Sequence, residues 1–166
     1  MRRRHLLMGG VAAAGLGACA PQTKFRSYNG PEVTYVVVNK KARSMYLLHQ
    51  DQVLKEYLID LGFAPIGDKY FEGDGRTPEG NYLIDRRNPN SKFHLSLGIS
   101  YPNARDRAEA AALGKPPGGD IFIHGESSPF KRRRSDWTWG CIAVPNREME
   151  DVYAMVRNGT PIQINP

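Results

Sequence analysis

The chain has 166 residues, of which 40% are hydrophobic, and its 23 lysine and arginine residues exceed its 17 aspartate and glutamate residues, for a formal net charge of +6. This length suits one domain with a sizeable core. The sequence contains no internal repeat and no low-complexity tract, which excludes solenoid and low-complexity disordered proteins.

The first eighteen residues have the layout of an export signal. Three arginines at positions 2–4 precede a run, residues 6–18, that contains only Leu, Met, Val, Ala and Gly. These thirteen residues are fewer than the about 20 that cross a bilayer core, so they predict a signal and not a stable membrane helix. Four glycines in the run also disfavour a buried N-terminal helix. Without residues 1–18 the net charge is about +3, which is no argument for nucleic acid and is compatible with an acidic polymer.

Two patterns refine this prediction. The stretch RRHLL, residues 3–7, resembles the twin-arginine export pattern. The stretch LGAC, residues 16–19, resembles the lipobox of bacterial lipoproteins, which implies cleavage before Cys19 and a diacylglycerol on its sulfur. Ala20 stands where enterobacterial lipoproteins retained in the inner membrane carry aspartate, which favours the outer membrane. The resemblance implies a periplasm-facing lipoprotein of the bacterial cell envelope, tethered to its membrane through residues 19–32.

The next part of the chain predicts a mainly β domain over residues 33–164. Short apolar or alternating runs are separated by turn residues, a pattern that indicates strands. These runs lie at residues 33–40, 44–50, 53–62, 80–87, 92–101, 119–126 and 160–165. A compact β-sandwich or barrel-like domain with about two helices fits this layout.

Two segments predict the helices. Residues 104–113 are alanine-rich and are followed by Gly114, a residue typical of helix ends. Residues 146–159 begin with Asn146 as the predicted N-cap and end at Gly159. Their apolar side chains fall on one face, which we expect to pack in the core: Met149, Val152, Tyr153 and Val156.

Cys141 is one of only two cysteines. A lipidated Cys19 cannot form a disulfide, so Cys141 would be a lone thiol in an exported protein, either inert or reactive. A reactive thiol needs a base, usually histidine. His49 lies where the chain turns, whereas His124 ends a strongly apolar strand and is followed by Gly125, beside which another chain can approach. His124 is therefore the candidate base, although a lone strand histidine is as often structural.

Four blocks of sequence resemble the L,D-transpeptidase catalytic domain, the YkuD or ErfK/YbiS/YcfS/YnhG family. In chain order they are GDGRTPEGNYLI, FHLSLGISYPNARD, IFIHG and TWGCIAV. The family motif is His-Gly, a loop, and Ser/Thr-x-Gly-Cys, and here His124 and Cys141 are 17 positions apart. The resemblance covers residues 33–164 and implies the family's mainly β fold. Residues 136–144, DWTWGCIAV, are most similar to the YafK-like subgroup.

The resemblance implies cysteine chemistry on peptidoglycan. Cys141 would attack an L,D-peptide carbonyl of a stem peptide, typically one that follows meso-diaminopimelate, while His124 takes the thiol proton. The backbone amides of Gly140 and Cys141, with Trp139, would line the oxyanion position, and Thr138 would orient nearby backbone or the histidine. The acyl-enzyme would then pass to an amine or to water.

One residue departs from the family pattern. Many members carry arginine two positions after the cysteine, where this chain has Ala143. The leading interpretation is a transpeptidase that cross-links or remodels peptidoglycan. One alternative is an L,D-endopeptidase or carboxypeptidase that hydrolyses the same bonds, including release of a murein-attached lipoprotein. Another is an inactive peptidoglycan-binding lipoprotein, against which the presence of both His124 and Cys141 argues.

Five further residues are candidates for substrate binding. Arg132, Arg133 and Arg134 lie between the two motif residues, either to hold diaminopimelate carboxylates or as a solvated basic loop. Gly125 follows the motif histidine. His94 alternates with its neighbours in a predicted strand, so it points into the groove or is a structural histidine.

The sequence predicts neither a metal nor another cofactor. It contains no CxxC, no HExxH and no paired His/Cys spacing of a zinc site. The expected partners are peptidoglycan stem peptides of the meso-diaminopimelate type and a membrane, through the N-terminal lipid. No nucleic acid partner is expected, and the protein is predicted to be a monomer.

Overall fold

The computed structural model describes residues 23–127 and 135–166. Its ten elements follow the chain in this order: β1 Tyr35–Asn39, β2 Ser44–His49, β3 Gln52–Leu58, β4 Gly80–Asn88, β5 Ser96–Ile99, α1 Ala104–Ala112, β6 Phe122–His124, β7 Ile142–Ala143, α2 Asn146–Met155 and β8 Pro161–Asn165. The prediction of a mainly β protein with two helices is confirmed. β7 was not predicted, because a strand of two residues has no alternation to detect.

The strands form one sheet in the order β3-β2-β1-β8-β4-β5-β6-β7. The β1–β8 and β6–β7 pairs are parallel, and the other pairs are antiparallel. The chain leaving the edge strand β3 reaches the opposite edge, where Asp60 bridges Ala143 of β7 and Gly62 bridges Thr138. The sheet therefore curls into a half-barrel, and the two bridges tie the segment that follows β3 to β7 and to the turn before it.

The core is built from alternate positions along the strands. Val36 and Val38 of β1 and Ile162 and Ile164 of β8 are buried, while their neighbours are partly exposed. Helix α2 lies against β5. The apolar face predicted for α2 is confirmed, because its members are all buried: Met149, Val152, Tyr153 and, just beyond the helix end, Val156.

Helix α1 is capped at both ends by local residues. The Asn103 side chain accepts from the amides of Arg105 and Asp106, and the Asp106 carboxylate accepts from the Asn103 amide. This reciprocal pair satisfies donors that the first helical turn leaves unpaired. Gly114 follows the C-cap with a φ of 66°, the left-handed conformation that ends many helices.

Helix α2 differs from the prediction at both ends. Pro145 is its N-cap, and no side chain caps it. The predicted N-cap, Asn146, instead accepts a hydrogen bond from the amide of Glu126 at 2.6 Å. The helix ends at Met155 and not at Gly159, because Val156 is already extended, with φ −92° and ψ 133°.

Part of the predicted tether is bound to the domain. Lys24 Nζ donates to the carbonyl oxygens of Pro89 and His94, at 2.6 and 2.9 Å, and Arg26 forms ion pairs with α2. Lys24 and Arg26, which lie within the predicted tether, are therefore fixed to the domain. Within residues 23–127 and 135–166, no helix is long and apolar enough to cross a membrane. The predicted signal lies outside the described residues.

Candidate active site

The sheet brings His124 and Cys141 to one cavity. His124 ends β6, Cys141 immediately precedes β7, and the two strands pair in parallel with His124 opposite Ala143. Alternate residues of a strand point to the same face, so Cys141, two positions before Ala143, faces the same side as His124. Both side chains line a cavity of about 480 Å³, together with Phe93, Ser96, Trp137 and Trp139 among others.

The His124 ring is buried and held in place by its neighbours. It is 4% exposed, and its Nδ1 lies 2.6 Å from the carbonyl oxygen of Gly125. A carbonyl only accepts hydrogen bonds, so Nδ1 carries the proton and Nε2 has the basic lone pair. The ring also contacts Phe93 and Trp137, with centroids 4.6 and 5.6 Å away. These contacts fix both the tautomer and the orientation of the imidazole.

Gly125 has a role that differs from the predicted one. It is buried, and its amide donates to the carbonyls of Phe93 and Leu95. A Cβ at this position would lie 2.4 Å from Asn146 Oδ1 and 3.0 Å from the Phe93 carbonyl oxygen. The glycine is therefore required by close packing, and its carbonyl orients His124. These contacts make Gly125 a residue that positions His124, and none of them supports the predicted role in substrate binding.

Cys141 follows a tight turn built by Thr138 and Gly140. Thr138 Oγ1 donates to the Cys141 carbonyl at 2.7 Å and accepts from the Gly140 amide at 3.2 Å. Gly140 has a φ of 123°, and a Cβ there would lie 2.6 Å from the carbonyl oxygen of Arg76. Only glycine fits both restrictions. The predicted orienting role of Thr138 thus takes the form of two hydrogen bonds inside the turn.

The turn occupies one of the predicted oxyanion donors and leaves the others available. The Gly140 amide donates to Thr138 Oγ1, so in this conformation it is not available to stabilise an oxyanion. The backbone amides of Trp139 and Cys141 remain the candidates. The Trp139 ring is 73% exposed and packs edge-on against Phe63, with centroids 5.0 Å apart.

The Cys141 side chain lies against a backbone carbonyl. Its Sγ lies 3.5 Å from the carbonyl oxygen of Asp120, which accepts its proton in a weak hydrogen bond. Burial raises the pKa of Cys141, and the negative charge of Asp120 adds to this effect, while the Phe122 amide and Lys69 partly oppose it. These surroundings favour the neutral thiol of Cys141 over its thiolate.

His94 does not contact the cavity. The structure corrects its predicted placement, because β5 begins only at Ser96 and His94 lies in a turn with a φ of 71°. Its Nε2 lies 3.0 Å from Oε1 of Glu150 in α2. Glu150 also pairs with Arg26. His94 therefore joins the N-terminal segment and α2 to the rest of the domain.

A second layer of residues supports the nucleophile turn and was not predicted. Arg43 Nη2 pairs with Asp136 Oδ2 at 2.7 Å, and Asp136 Oδ1 accepts from the Leu61 amide at 3.0 Å. Asp60 accepts from the Trp137 indole and from the Asp136 amide, both at 3.2 Å. The sequence offered one signal for this layer, since Asp136 and Trp137 belong to the DWTWGCIAV motif.

Ala143 is buried, and its backbone is paired with another segment of the chain. Its backbone exchanges two hydrogen bonds with Asp60, at 2.8 and 2.9 Å, and it is 3% exposed. A buried methyl group thus stands where many family members have arginine.

Four other predicted site residues lie outside the described residues: Cys19, Arg132, Arg133 and Arg134. In the parts of the chain that the structure describes, no three His, Cys, Asp or Glu residues are grouped so that they could hold a metal ion.

Comparison with known proteins places this geometry in one family. The L,D-transpeptidase catalytic domain (YkuD) profile matches residues 33–164. YafK of Escherichia coli (strain K12), whose name assigns it to the L,D-transpeptidases, is 28% identical over 128 residues, 74% of this chain and 46% of that protein. YkuD of Bacillus licheniformis is 27% identical over 161 residues, 96% of this chain and 81% of that protein. The chain thus spans about half the length of YafK.

Solved structures share the fold. The helical cell shape determining protein Pgp2 from Campylobacter jejuni has a TM-score of 0.63 and 27% identity, covering 87% of this chain and 51% of that one. L,D-transpeptidase 1 of Mycobacterium tuberculosis has a TM-score of 0.53 at 13% identity, covering 81% of this chain and 62% of that one, which shows the fold alone. With the family profile spanning nearly all of the described domain, the chain belongs to the L,D-transpeptidase (YkuD) catalytic domain family.

Proposed function

We propose that the protein transfers an acyl group between peptidoglycan stem peptides through a thioester on Cys141. One observation carries this proposal: Cys141 and a tautomer-fixed His124 line the same cavity on adjacent parallel strands. Nucleophilic catalysis by cysteine needs such a base, itself oriented by a third group, which here is the Gly125 carbonyl. Membership of the L,D-transpeptidase family supports the substrate class.

In the first step, Cys141 Sγ attacks the carbonyl carbon of the L,D-peptide bond while His124 Nε2 takes the thiol proton. The imidazolium that forms is stabilised by its Nδ1–H bond to Gly125. The backbone amides of Trp139 and Cys141 donate to the oxygen that becomes negative, and one such donor contributes on the order of 10²–10³ in rate. The tetrahedral intermediate then collapses, the C–N bond breaks, and His124 returns the proton to the leaving amine.

In the second step, an amine or water attacks the thioester carbonyl. His124 takes one proton from the attacking group and delivers it to the departing sulfur. An amine forms a new peptide bond, which is transpeptidation. Water gives a free carboxylate, which is hydrolysis by an endopeptidase or carboxypeptidase. Both outcomes share one acyl-enzyme, so the geometry of Cys141 and His124 serves either.

We propose the following surroundings for this reaction. Cys19 carries a lipid that anchors the chain to the membrane, with the domain facing the periplasm and the outer membrane as the favoured site. The arginines at 132, 133 and 134, in the connection between His124 and Cys141, hold substrate carboxylates in place of the family arginine that Ala143 replaces. The lipid on Cys19 is tested by metabolic labelling with a fatty acid, which should label the full chain but not its Cys19→Ala variant.

The reaction is tested by incubating the protein with purified sacculi and separating the muropeptides. New cross-links show transpeptidation, and shortened stems or released lipoprotein show hydrolysis, with Cys141→Ala as the inactive control. A carbapenem should add covalently to Cys141 in the wild-type chain and not in Cys141→Ala, as measured by protein mass. A protein that neither alters sacculi nor reacts with the carbapenem would overturn the proposal and would favour an inactive peptidoglycan-binding lipoprotein.

A further inference from the structure

The loop between β4 and β5, residues 89–95, forms one wall of the candidate active-site cavity. Three of its residues line that cavity: Ser91, Lys92 and Phe93. The Phe93 ring also lies against the His124 ring, with centroids 4.6 Å apart. The position of this β4–β5 loop therefore affects both the shape of the cavity and the orientation of the proposed base.

The backbone of the β4–β5 loop also holds Gly125, whose carbonyl orients His124. The Gly125 amide donates to the carbonyl oxygens of Phe93 at 3.1 Å and of Leu95 at 3.2 Å. The carbonyl oxygen of the same glycine lies 2.6 Å from His124 Nδ1. A displacement of the loop would therefore move the residue that orients the imidazole as well as the aromatic ring packed against it.

One residue of the N-terminal segment binds both ends of the β4–β5 loop. Lys24 Nζ donates to the carbonyl oxygen of Pro89 at 2.6 Å and to that of His94 at 2.9 Å. A lysine ammonium group has three protons, so it can form both bonds at once. Hydrogen bonds from a charged donor are stronger than those between neutral groups. The two ends of the loop are thus held together by a side chain that lies 65 and 70 positions away from them along the chain.

The second cation of the N-terminal segment binds α2 instead. Arg26 pairs with Glu150 at 2.8 Å and with Asp151 at 2.6 Å. Glu150 uses Oε2 for this pair and Oε1 for its contact with the His94 ring, so the loss of Arg26 leaves the contact with His94 in place. Lys24 and Arg26 therefore separate two functions of one segment, since the first binds the β4–β5 loop and the second attaches the segment to α2.

We propose that Lys24 is a positioning residue for His124. By binding both ends of the β4–β5 loop, it keeps the Phe93 ring and the two carbonyls that hold Gly125 in place beside the imidazole. Lys24 acts through the loop and not on the reacting atoms. Part of the segment that the sequence predicts as a tether thereby belongs to the structure of the active site. This inference rests on the proposed function, because it concerns the base of that reaction.

The test compares Lys24→Met with Arg26→Met in the full chain, since methionine keeps an apolar side chain and removes the charge. The first measurement is amide hydrogen exchange, which reports local opening. We expect the Gly125 amide to exchange about tenfold faster in Lys24→Met, and at the wild-type rate in Arg26→Met. The amides of β1, which pairs with β2 and β8 in another part of the sheet, should exchange at the wild-type rate in both variants.

The second measurement is the turnover of a stem-peptide donor. Because a small displacement of the base lowers the rate, we expect the kcat of Lys24→Met to fall about tenfold. The acidic limb of the pH profile of kcat reports the protonation of the base in the substrate complex, so it should move in Lys24→Met. Arg26→Met should match the wild type in both kcat and pH profile.

Three results would overturn the inference. The first is an unchanged exchange rate of the Gly125 amide in Lys24→Met. The second is a kcat of Lys24→Met equal to that of Arg26→Met. The third is an equal acceleration of exchange at Gly125 and in β1, which would make Lys24 a residue of general stability. Failure of the proposed function looks different, because the wild-type chain would then form no acyl-enzyme on Cys141, as measured by protein mass. The exchange of the Gly125 amide would still distinguish the two variants in that case.

Discussion

The Nδ1 atom of His124 donates to the carbonyl oxygen of the very next residue, Gly125, at 2.6 Å. A backbone carbonyl thus orients the imidazole that we propose as the base. This arrangement makes the position of one peptide unit critical. That peptide unit is held from the other side by Asn146, which accepts from the amide of Glu126 at 2.6 Å.

Removing the Asn146 side chain should therefore weaken catalysis from a distance. In Asn146→Ala the Glu126 amide loses its partner, the Gly125 carbonyl shifts, and we expect kcat to fall about tenfold to 100-fold with little change in KM. Asn146→Asp keeps the acceptor and should recover most of the rate. The measurement is kcat and KM on a stem-peptide donor, together with the pH profile of kcat, whose acidic limb should move in Asn146→Ala.

Asn165→Ala is the matched control for this prediction. Asn165 is also partly buried and donates to Asn39 at 3.0 Å, but it lies in β8, away from the cavity. An unchanged pH profile in Asn146→Ala, or an equal loss of kcat in Asn165→Ala, would show that Asn146 acts only on stability.

A Cβ on Gly140 should inactivate the protein, because it adds a clash to an unfavourable conformation. We compare Gly140→Ala with Gly159→Ala, whose φ of 88° is also positive but whose Cβ would meet nothing within 4 Å. Gly159→Ala should cost about 1–2 kcal/mol of unfolding free energy and leave kcat unchanged. Gly140→Ala should lower both stability and kcat, by denaturant unfolding and by turnover. Equal behaviour of the two variants would contradict the steric argument.

The Arg43–Asp136 ion pair should support the nucleophile turn. Arg43→Met leaves the partly buried Asp136 carboxylate without its cation, so we expect a loss of about 1–2 kcal/mol in stability and a lower kcat. Arg26→Met is the matched control, since the two arginine side chains are 34% and 33% exposed and Arg26 also pairs with carboxylates. Turnover of Arg26→Met should equal that of the wild type. If both variants lose activity alike, Arg43 has no special connection to the turn.

The raised pKa of Cys141 predicts a late onset of thiol reactivity. Burial and the charge of Asp120 both favour the neutral thiol, so the rate of alkylation by iodoacetamide should rise with a midpoint above about 8.5, the value of a free cysteine. Asp120→Asn should lower this midpoint, and Asp85→Asn should not. Because the folded-state pKa is the higher one, the stability that Cys141 contributes is full below the ordinary thiol pKa. It is lost as the pH rises through the folded value, a loss that Cys141→Ser should not show. A wild-type midpoint at or below that of free cysteine would contradict the prediction.

The sequence predicted what is local. Cys141 and His124 belong to short motifs, and seven of the strands lie in short apolar or alternating runs that are detectable in the sequence. His94 was misplaced because alternation was extended through a residue whose left-handed φ breaks it. Asn146 was misassigned because asparagine favours N-caps, and nothing near it reveals that the Glu126 amide, 20 positions away, reaches its side chain. Asp60 and Arg43 were missed for the same reason, since each acts across the fold on the turn before Cys141.

The parallel pairing of β6 and β7 also sets the spacing of the two reacting residues along the chain. Parallel neighbours cannot be joined by a tight hairpin, because the chain has to travel back to the starting end, which takes about a dozen residues or more. The 16 residues between His124 and Cys141 are long enough for such a return path. The sheet fixes both ends of that path and leaves its composition open. The length and composition of this connection can therefore vary, while the pairing of β6 and β7 keeps the sulfur and the imidazole aligned.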